Sequence, residues 1–326
     1  MTSILVTGGA GYIGSHTAKA LAKAGYQPVV MDNLSTGHRW AVRWGPFIEG
    51  DIADRSLVRR TLNDYSIKSV IHFAANTSVG ESMTNPYRYL HDNVKNSLEL
   101  LEAMHETGAE HIVLSSTCAT YGVPQSVPIS ESAPQIPANP YGESKLYIER
   151  ALAWYGQVYG IRSVALRYFN AAGADPDGEI GEDHDPEAHL LPLAIQAVLG
   201  SRPHVQLFGT DYPTPDGSAI RDYIHVDDLA AAHLRSLDHL LKGDPSEALN
   251  LGTGRGNSVR EVIAAVERVS GRKVPVIESP RRAGDPPALV ADASRARAVL
   301  NWIARYDSLD SIVQTAWKWH ASRHRP

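Results

Sequence analysis

TGGAGYIGSH, residues 7–16, decides the fold, because the chain on either side of it completes one structural unit. It follows residues 4–6, a short apolar run with β-branched side chains that is typical of a fully buried parallel strand. The pattern then predicts a helix over 15–24 and a second strand over 27–31, followed by Asp32. A strand, a glycine-rich turn, a helix, a strand and an acidic residue together indicate a dinucleotide-binding unit.

The residue types of this unit fit a bound pyrophosphate and ribose. Gly8 and Gly11 allow a tight turn close to a phosphate, and Gly14 lets the helix pack on the strand while its N-terminus faces the phosphates. A carboxylate at Asp32 can accept hydrogen bonds from an adenosine ribose and would repel a 2′-phosphate, which predicts NAD and not NADP. Asp51 can meet the adenine amino group or cap the next helix, and the sequence leaves both open. A glycine loop without a ligand is the alternative for the whole unit, and the matching strand, helix and acid argue against it.

Composition sets the broad class of the protein. The chain has 326 residues, 43% of them hydrophobic, and a formal net charge of −5, so it can bury a large core. The sequence contains no basic run typical of nucleic-acid binding and no apolar run of the ~20 residues that cross a membrane, so we predict neither partner. Cys118 is the only cysteine, which predicts no intrachain disulfide and a cytoplasmic location.

Short apolar runs continue the alternation of strands and helices along the chain. Further strands are predicted over 47–49, 69–75, 111–116 and 162–169. A helix over 93–107 is predicted to bury one stripe, which consists of Val94, Leu98, Leu101 and His105. Short connections between alternating elements imply an α/β fold with a doubly wound, Rossmann-type parallel sheet, whose ligands bind beyond the carboxyl ends of the strands.

The character of the sequence changes after residue 170, which predicts two domains. We predict an NAD-binding Rossmann domain over 1–170, and the segment of about 219–241 is a candidate to return to it. A smaller α/β cap over 171–326 is predicted to bind the substrate. The two domains would then enclose a site at the open end of the sheet.

The segment 171–189 is rich in glycine, proline and acidic residues. This composition favours a mobile lid. His184 and His189 lie there among acidic residues, but their spacing matches no established metal motif. We therefore predict no metal site.

Tyr141 and Lys145 are the strongest candidates for chemistry. If a helix begins near Pro140, their spacing of four places both side chains on one face. The reference pKa of tyrosine, about 10, is too high for a base at neutral pH, but an ammonium ~4 Å away contributes about 4 kcal/mol and lowers this pKa. Beside a nicotinamide, such a pair can take a proton from a hydroxyl while hydride leaves its carbon. The alternative is a chance pair on an exposed helix; the strand end over 115–117 and the preceding dinucleotide unit argue against it.

A series of further motifs extends over nearly the whole chain. In order they are TGGAGYIGSH, DNLSTG, EGDI, VIHFAA…VGES, SST…YG, NPYGESK, LRYFNAAGA, RDYIHVDDLA, NLGTG and RRAGDPPALVADAS. In this order the chain resembles the UDP-glucose (UDP-galactose) 4-epimerases of the extended short-chain dehydrogenase/reductase family. The resemblance implies NAD as cofactor, a UDP-sugar as substrate, and a homodimer that pairs two helices of the cofactor domain. Thr77 stands where some relatives have a lysine near the cofactor phosphates.

The resemblance also implies roles for individual residues. Tyr141 would be the general base and acid, Lys145 would lower its pKa and bind the nicotinamide ribose, and Thr117 would hydrogen-bond the sugar O4. Implied cofactor contacts are Gly8, Gly11, Tyr12, Ile13, Gly14, Asp32, Asn33, Asp51, Ile52, Phe73, Ala74, Ala75, Asn93, Ser115, Tyr141, Lys145 and Tyr168. Implied substrate contacts are Thr117, Tyr141, Asn170, His189, Leu190, Leu207, Phe208, Arg221, Arg282, Asp285 and Leu289.

The implied reaction inverts C4 of the sugar. Tyr141 takes the proton of the 4-hydroxyl, C4 gives its hydride to NAD⁺, and the 4-keto sugar turns before the hydride returns to its opposite face. Related 4,6-dehydratases have Asp-Glu after the strand-end hydroxyl, whereas Cys118 and Ala119 stand here. A UDP-pentose (xylose or arabinose) 4-epimerase stays open. From a different class, a catalytically inactive NAD-sensing regulator would be expected to lose Tyr141 or Lys145, and both are present.

Leu289 bears on the choice of sugar. In the resembled family, a bulky tyrosine at this position excludes N-acetylhexosamines, and small residues admit them. Leucine leaves room for part of an acetamido group, so the resemblance implies that a UDP-N-acetylhexosamine is accepted but poorly. Alternatively, Leu289 is a core residue that points away from the site.

Overall fold

Most strands of the molecule belong to one parallel sheet. The computed structural model describes residues 1–282 and 285–324. The strands are β1 (Ser3–Thr7), β2 (Gln27–Asp32), β3 (Phe47–Glu49), β4 (Ser69–His72), β5 (His111–Thr117), β6 (Arg162–Tyr168), β7 (Asn170–Ala172), β8 (Val205–Phe208), β9 (Ile220–His225), β10 (Glu247–Leu251), β11 (Gly256–Ser258), β12 (Val276–Ser279) and β13 (Ala288–Leu289). The main sheet has seven strands in the order β10-β6-β5-β4-β1-β2-β3.

Helices cover both faces of this sheet, and further helices pack with the smaller sheets. They are α1 (Tyr12–Lys23), α2 (Arg55–Asp64), α3 (Val79–Thr84), α4 (Pro86–Arg88), α5 (Asn96–Thr107), α6 (Pro140–Tyr159), α7 (Leu190–Leu199), α8 (Val226–Leu241), α9 (Val259–Ser270), α10 (Ser294–Leu300) and α11 (Leu309–Arg323). A π-helical segment, Tyr89–Lys95, joins α4 to α5, and 3₁₀ turns span Arg39–Ala41 and Cys118–Tyr121. Among the residues that the structure describes, no helix is both long and apolar enough to cross a bilayer.

Side chains of the sheet alternate between two hydrophobic clusters. In β1, Leu5 packs into the cluster under α2, α5 and α6, whereas Ile4 and Val6 pack into the opposite cluster with α1 and α8. Successive side chains of a strand point to opposite faces, so a strand with apolar residues at every position is buried on both faces. The predicted doubly wound Rossmann-type fold is therefore confirmed.

The strand order creates a crevice at the carboxyl end of β1. From β1 the chain first builds outward to β2 and β3, and it then crosses to β4 on the other side. Connections leave β1 and β4 in opposite directions, which opens a ligand-binding crevice between them. The smaller sheets formed by β7 to β9 and β11 to β13, with α7, α9 and α11, build a separate cluster of buried residues.

Some predicted element boundaries and one predicted face differ from the structure. The strand predicted over 69–75 ends at His72, and the first helix begins at Tyr12 instead of residue 15. In α5 only part of the predicted stripe is buried: Leu101 is buried as predicted, but Leu98 and His105 are exposed, and Leu100 and Met104 are buried instead. Strand β10 pairs with β6 although it lies beyond residue 170. The domain division at that residue stays a prediction.

Candidate active site

A cavity of about 1470 Å³ opens at the carboxyl ends of the strands. Pockets for one drug-sized ligand typically measure about 300–1,000 Å³, so this cavity has room for two ligands. It runs from the glycine turn after β1, past the ends of β4, β5 and β6, to β9 and β13. Of the implied site residues, all but Lys145 and Leu207 line it.

The glycine turn fits closely against its neighbours at one end of the cavity. Gly8 has a φ of +70°, and a Cβ there would lie 2.5 Å from the backbone nitrogen of Ala74. A Cβ on Gly14 would lie 2.3 Å from the carbonyl oxygen of Gly8. A residue with a Cβ at Gly8 or Gly14 would therefore displace the turn. The free backbone N–H groups at the start of α1 would then no longer face a bound phosphate. This geometry fits the pyrophosphate of a dinucleotide.

Asp32 lies at the end of β2, and its carboxylate has hydrogen-bond acceptor sites that the protein does not fill. Its carboxylate accepts hydrogen bonds from the backbone N–H groups of Ala10, at 3.0 Å, and Leu34, at 2.8 Å. Burial raises the pKa of Asp32, and these two hydrogen bonds oppose the rise. Because a carboxylate offers about four acceptor sites, it can still accept from a ribose.

Asp51 lies beside Asp32 and does not cap a helix. It accepts a hydrogen bond from the side chain of Asn33 at 2.7 Å and another from the backbone of Ala53 at 2.8 Å. The helix cap is Asp54, whose side chain accepts from the N–H of Leu57 at 2.9 Å. The capping alternative for Asp51 is therefore wrong, and its carboxylate lines the cavity.

The ends of β4, β5 and β6 meet at the middle of the cavity. The hydroxyls of Ser115 and Tyr168 are hydrogen-bonded to each other across the sheet. Asn93 is fully buried: its amide nitrogen donates to the Asn76 carbonyl and to the Ser144 hydroxyl, both at 3.0 Å, and its oxygen accepts from the Asn76 N–H at 2.7 Å. The side chain of Asn93 thus uses most of its hydrogen-bonding groups within the protein, where they connect the loop that follows β4 with helix α6.

The catalytic candidates are placed by the start of α6. The side chain of Asn139 caps the helix by accepting from the N–H of Gly142 at 2.8 Å, and Pro140 occupies its first turn. Both features favour a helix start at this point, as predicted. Tyr141 consequently lines the cavity, and the Lys145 ammonium, buried and one helical turn further on, donates to the Ser115 carbonyl at 2.9 Å.

The electrostatics of the pair differ from the sequence-based expectation. Burial raises the pKa of Tyr141 far above its usual value, and the Thr117 hydroxyl opposes the rise. Burial lowers the pKa of Lys145 to about 8, while the charge of Glu149 opposes the fall. Lys145 is not among the causes of the Tyr141 pKa shift, so the expected lowering of this pKa by Lys145 is not found. A bound nicotinamide cation would add positive charge at the site, which favours the deprotonated form of Tyr141.

The far end of the cavity brings together the polar residues implied in nucleotide binding. Arg221, on β9, forms an ion pair with Asp285. The Arg282 guanidinium lies over the ring of Phe208, 4.0 Å from its centroid. A planar ring and two guanidinium groups in one part of the cavity suit a base and a diphosphate.

Two implied substrate residues have different outcomes. Leu207 is fully buried in the cluster with Leu191 and Val266, so it faces the core. It alternates with Phe208 along β8, and only Phe208 lines the cavity. Leu289 lines the cavity at β13, which contradicts the alternative that it faces away from the site.

Several lining residues are absent from the sequence-based set. Tyr223 lies two residues after Arg221 on β9 and reaches the same cavity. A strand places residues two apart on one face, so this spacing could have identified it. Arg88 and Arg202 also line the cavity, but they lie outside the recognised motifs.

The segment after β7 is anchored and is not a free lid. Asp175 is buried against the Lys19 ammonium at 2.7 Å. The indole N–H of Trp319 donates to the carbonyl of Glu182 at 2.9 Å. His189, at the start of α7, and Leu190 line the cavity together with Asn170. These contacts anchor the segment as one wall of the cavity, which argues against the predicted mobile lid.

Comparison with known proteins agrees with this geometry. The sequence model of the "NAD dependent epimerase/dehydratase family" matches residues 4–252. A UDP-glucose 4-epimerase of Rhizobium leguminosarum bv. trifolii is 53% identical over 323 residues, which cover 99% of this chain and 98% of the relative.

Solved structures extend the similarity to the fold. The UDP-glucose 4-epimerase of Brucella ovis in complex with NAD has a TM-score of 0.95 and 53% identity, and covers 97% of this chain and 98% of its own. The UDP-glucose-4-epimerase of Stenotrophomonas maltophila, with bound NAD and formylated UDP-arabinopyranose, has a TM-score of 0.96 and 40% identity, with 99% of both chains covered. The chain therefore belongs to the NAD-dependent epimerase/dehydratase family.

Proposed function

We propose that this protein inverts C4 of a UDP-sugar, interconverting UDP-glucose and UDP-galactose with NAD as a resident cofactor. The observation that supports this most is the placement of Tyr141 between two halves of one cavity. The glycine turn and Asp32 form one half, and Arg221 and Phe208 form the other. The reacting carbon would therefore lie beside both a dinucleotide and a proton-transferring hydroxyl.

The proposed roles of the chain's own residues follow from their positions. When bound, NAD would accept and return a hydride at C4. Tyr141 removes the proton of the 4-hydroxyl and returns it later, while the Thr117 hydroxyl orients O4. Lys145, fixed by the Ser115 carbonyl, places a positive charge behind Tyr141. Phe208 and Arg221 hold the nucleotide, so the sugar can turn about its link to the diphosphate and present its other face.

The test is conversion of UDP-galactose that carries deuterium at C4, with no NAD added. We expect UDP-glucose with the deuterium retained at C4, because the same hydride leaves and returns. Denatured protein should release NAD, because Asp32 disfavours a 2′-phosphate. Stoichiometric consumption of added NAD with formation of NADH would instead indicate a dehydrogenase. No conversion at all, with NAD bound, would indicate a regulator.

A second candidate substrate is a UDP-pentose. The similar structure from Stenotrophomonas maltophila binds a formylated UDP-arabinopyranose. Parallel assays of UDP-galactose and UDP-xylose with the same enzyme preparation distinguish the two. A higher specificity constant for UDP-xylose would replace the hexose in this proposal.

Leu289 is proposed to limit acceptance of an N-acetylated sugar. UDP-N-acetylglucosamine should be accepted with a specificity constant below that of UDP-glucose, because exclusion of one or two carbons is worth ~1–3 kcal/mol. Leu289→Tyr should lower, and Leu289→Cys should raise, the ratio of specificity constants for the acetylated over the plain sugar. An unchanged ratio in both variants would show that Leu289 does not select the sugar.

The exposed faces of α5 and α6 are proposed to form a homodimer interface. Trp154 and Val158 on α6 are 64% and 63% exposed, and Leu98 on α5 is also exposed. The His105 and Tyr159 rings stack with centroids 3.9 Å apart, which joins the two faces into one apolar patch. Contiguous exposed apolar patches of this kind commonly mark interaction sites. The resemblance implies a dimer that pairs two helices of the cofactor domain, and α5 and α6 both lie within the predicted cofactor domain.

Trp154→Glu should convert the dimer to a monomer, because it places a charge within this apolar patch. The measurement is sedimentation equilibrium across a range of protein concentrations. Ile303→Glu, at a residue that is 62% exposed outside these helices, is the matched control and should leave the mass unchanged. A monomeric wild-type chain at all concentrations would refute the proposal.

The cytoplasmic location stays a prediction, and cell fractionation would test it.

A further inference from the structure

Four side chains between β7 and α7 direct their donor atoms at one another. Glu182 and Glu187 each offer a carboxylate oxygen, and His184 and His189 each offer Nδ1; these atoms all lie within 4.8 Å of one another. The two carboxylates are only 3% and 5% exposed. Ionised carboxylates at such depth need a positive partner.

A second cluster in the same segment shows how this chain neutralises buried carboxylates elsewhere. The Lys19 ammonium lies 2.7 Å from Asp175, 2.9 Å from Asp177 and 2.7 Å from Glu179. In the part of the chain that the structure describes, no lysine or arginine lies within ion-pair distance of Glu182 or Glu187; only histidines do. This second pair of carboxylates therefore lacks the permanent cation that the first cluster has.

Three of the separations between the four donors are close to those around a tetrahedral ion. His184 Nδ1 lies 3.2 Å from the Glu182 oxygen and 3.7 Å from the Glu187 oxygen, and His189 Nδ1 lies 3.9 Å from the Glu187 oxygen. An ion with bonds of about 2.0–2.2 Å to four tetrahedral ligands holds them roughly 3.3–3.6 Å apart. The 3.2 Å separation lies just below this range and the 3.7 and 3.9 Å separations just above it, whereas the hydrogen-bonded pair of His189 and Glu182 is clearly closer. Small shifts of the side chains would close the coordination sphere.

We propose that Glu182, His184, Glu187 and His189 bind one divalent transition-metal ion of the zinc class. Two imidazole nitrogens and two carboxylate oxygens suit Zn²⁺, whereas Ca²⁺ and Mg²⁺ prefer oxygen ligands alone. The competing arrangement places a proton on each imidazole. Metal binding would release those protons while it neutralises the same two carboxylates.

The ion would stabilise one wall of the active-site cavity. His189 immediately precedes α7, and both histidines and Glu187 line the cavity. The ring of Tyr12, from the glycine turn, meets the ring of His184 edge to face at 6.2 Å. The Glu182 carbonyl is bound to Trp319 on α11. Because four protein ligands close the sphere, the site is structural and not a Lewis acid for the sugar.

The experiment measures metal content and affinity in the untagged holoenzyme. We expect about one zinc per chain by elemental analysis after gel filtration, and the absorption of tetrahedral Co²⁺ when chelator-treated protein is titrated with cobalt. His184→Gln and Glu187→Gln should each weaken zinc binding at least ~10-fold in competition with a chelator. Asp177→Asn, in the cluster around Lys19, is the matched control and should keep the zinc.

Two results would contradict the proposal. Wild-type protein that holds below about 0.1 zinc per chain after dialysis against zinc would show that protons neutralise the cluster. Equal zinc content in wild type and both variants would place the ion elsewhere. Circular dichroism establishes that each variant is folded. Two ligand variants are used so that the test still works if one of them does not fold. None of these readouts depends on epimerase activity.

Discussion

Tyr141→Phe should lower kcat for UDP-galactose at least ~10²-fold, the low end for loss of a general acid–base group. Tyr141 is the ionisable hydroxyl on α6 that lines the cavity beside Thr117. Phenylalanine keeps the ring and its edge-to-face contact with Tyr89, whose centroid lies 6.4 Å away. The fold and the content of NAD should therefore be unchanged. Steady-state kinetics and analysis of the released nucleotide measure both expectations.

The same helix supplies a matched control. Tyr147 on α6 is exposed and lies outside the cavity, so Tyr147→Phe removes an identical hydroxyl without touching the site. Its kcat should stay within a factor of two of wild type, by the same reasoning on acid–base catalysis that gives ~10² for Tyr141. Tyr141→Phe activity within threefold of wild type would remove Tyr141 from the mechanism. A drop with loss of NAD would show a binding defect instead.

The backbone-determined part of the site could be predicted from the sequence. At Gly8 and Gly14 a Cβ would collide with backbone atoms, so the residue type itself reports the geometry. The start of α6 follows in the same way from Asn139 and Pro140, a cap and a first-turn proline. Interactions between residues close in sequence determine these features, so the residue types alone are enough to predict them.

Features decided by tertiary packing could not be predicted. Leu207 and Phe208 are both apolar, and the pairing of β8 with β12 selects which of them faces the core. In α5 two apolar stripes share Leu101, so periodicity alone cannot choose between Leu98 and Leu100 as the buried neighbour. The apolar side chain that remains exposed becomes a candidate for contact with a partner.

The pKa values depend on the same packing. An isolated helix would leave Tyr141 and Lys145 in water, where opposite charge dominates their pKa values. In the folded chain, desolvation is the largest cause at both residues, and it favours the neutral form of each. A cationic ligand beside Tyr141 would oppose this desolvation and favour the deprotonated form of its hydroxyl.

Glu149 connects the catalytic helix to the sheet through a buried ion pair. The side chains of Glu149 and Arg167 are 8% and 7% exposed, and the guanidinium of Arg167 donates to both carboxylate oxygens at 2.6–3.2 Å. The Ser116 hydroxyl donates to the same carboxylate, and Arg167 also donates to the Tyr121 hydroxyl at 2.9 Å. Glu149 lies one turn after Lys145 on α6, so this pair fixes the helix that carries the catalytic candidates.

Glu149→Gln should lower the free energy of unfolding by ~3–5 kcal/mol, because it leaves the buried Arg167 charge without its counter-charge. Urea denaturation at pH 7 measures the loss. Glu49→Gln is the control: Glu49 pairs with Arg39 at 2.7 Å, a similar distance, but both side chains are exposed, so its effect should be several-fold smaller.

The double variant Glu149→Leu/Arg167→Met separates the cost of an unpaired charge from the value of the pair. It should recover most of the lost stability, because replacing a buried ion pair with apolar side chains of similar volume is often neutral. If the double variant is as unstable as Glu149→Gln, the shape and hydrogen bonds of the pair stabilise the fold, and not charge balance. Equal losses in Glu149→Gln and Glu49→Gln would show that burial of the Arg167 pair has no energetic consequence.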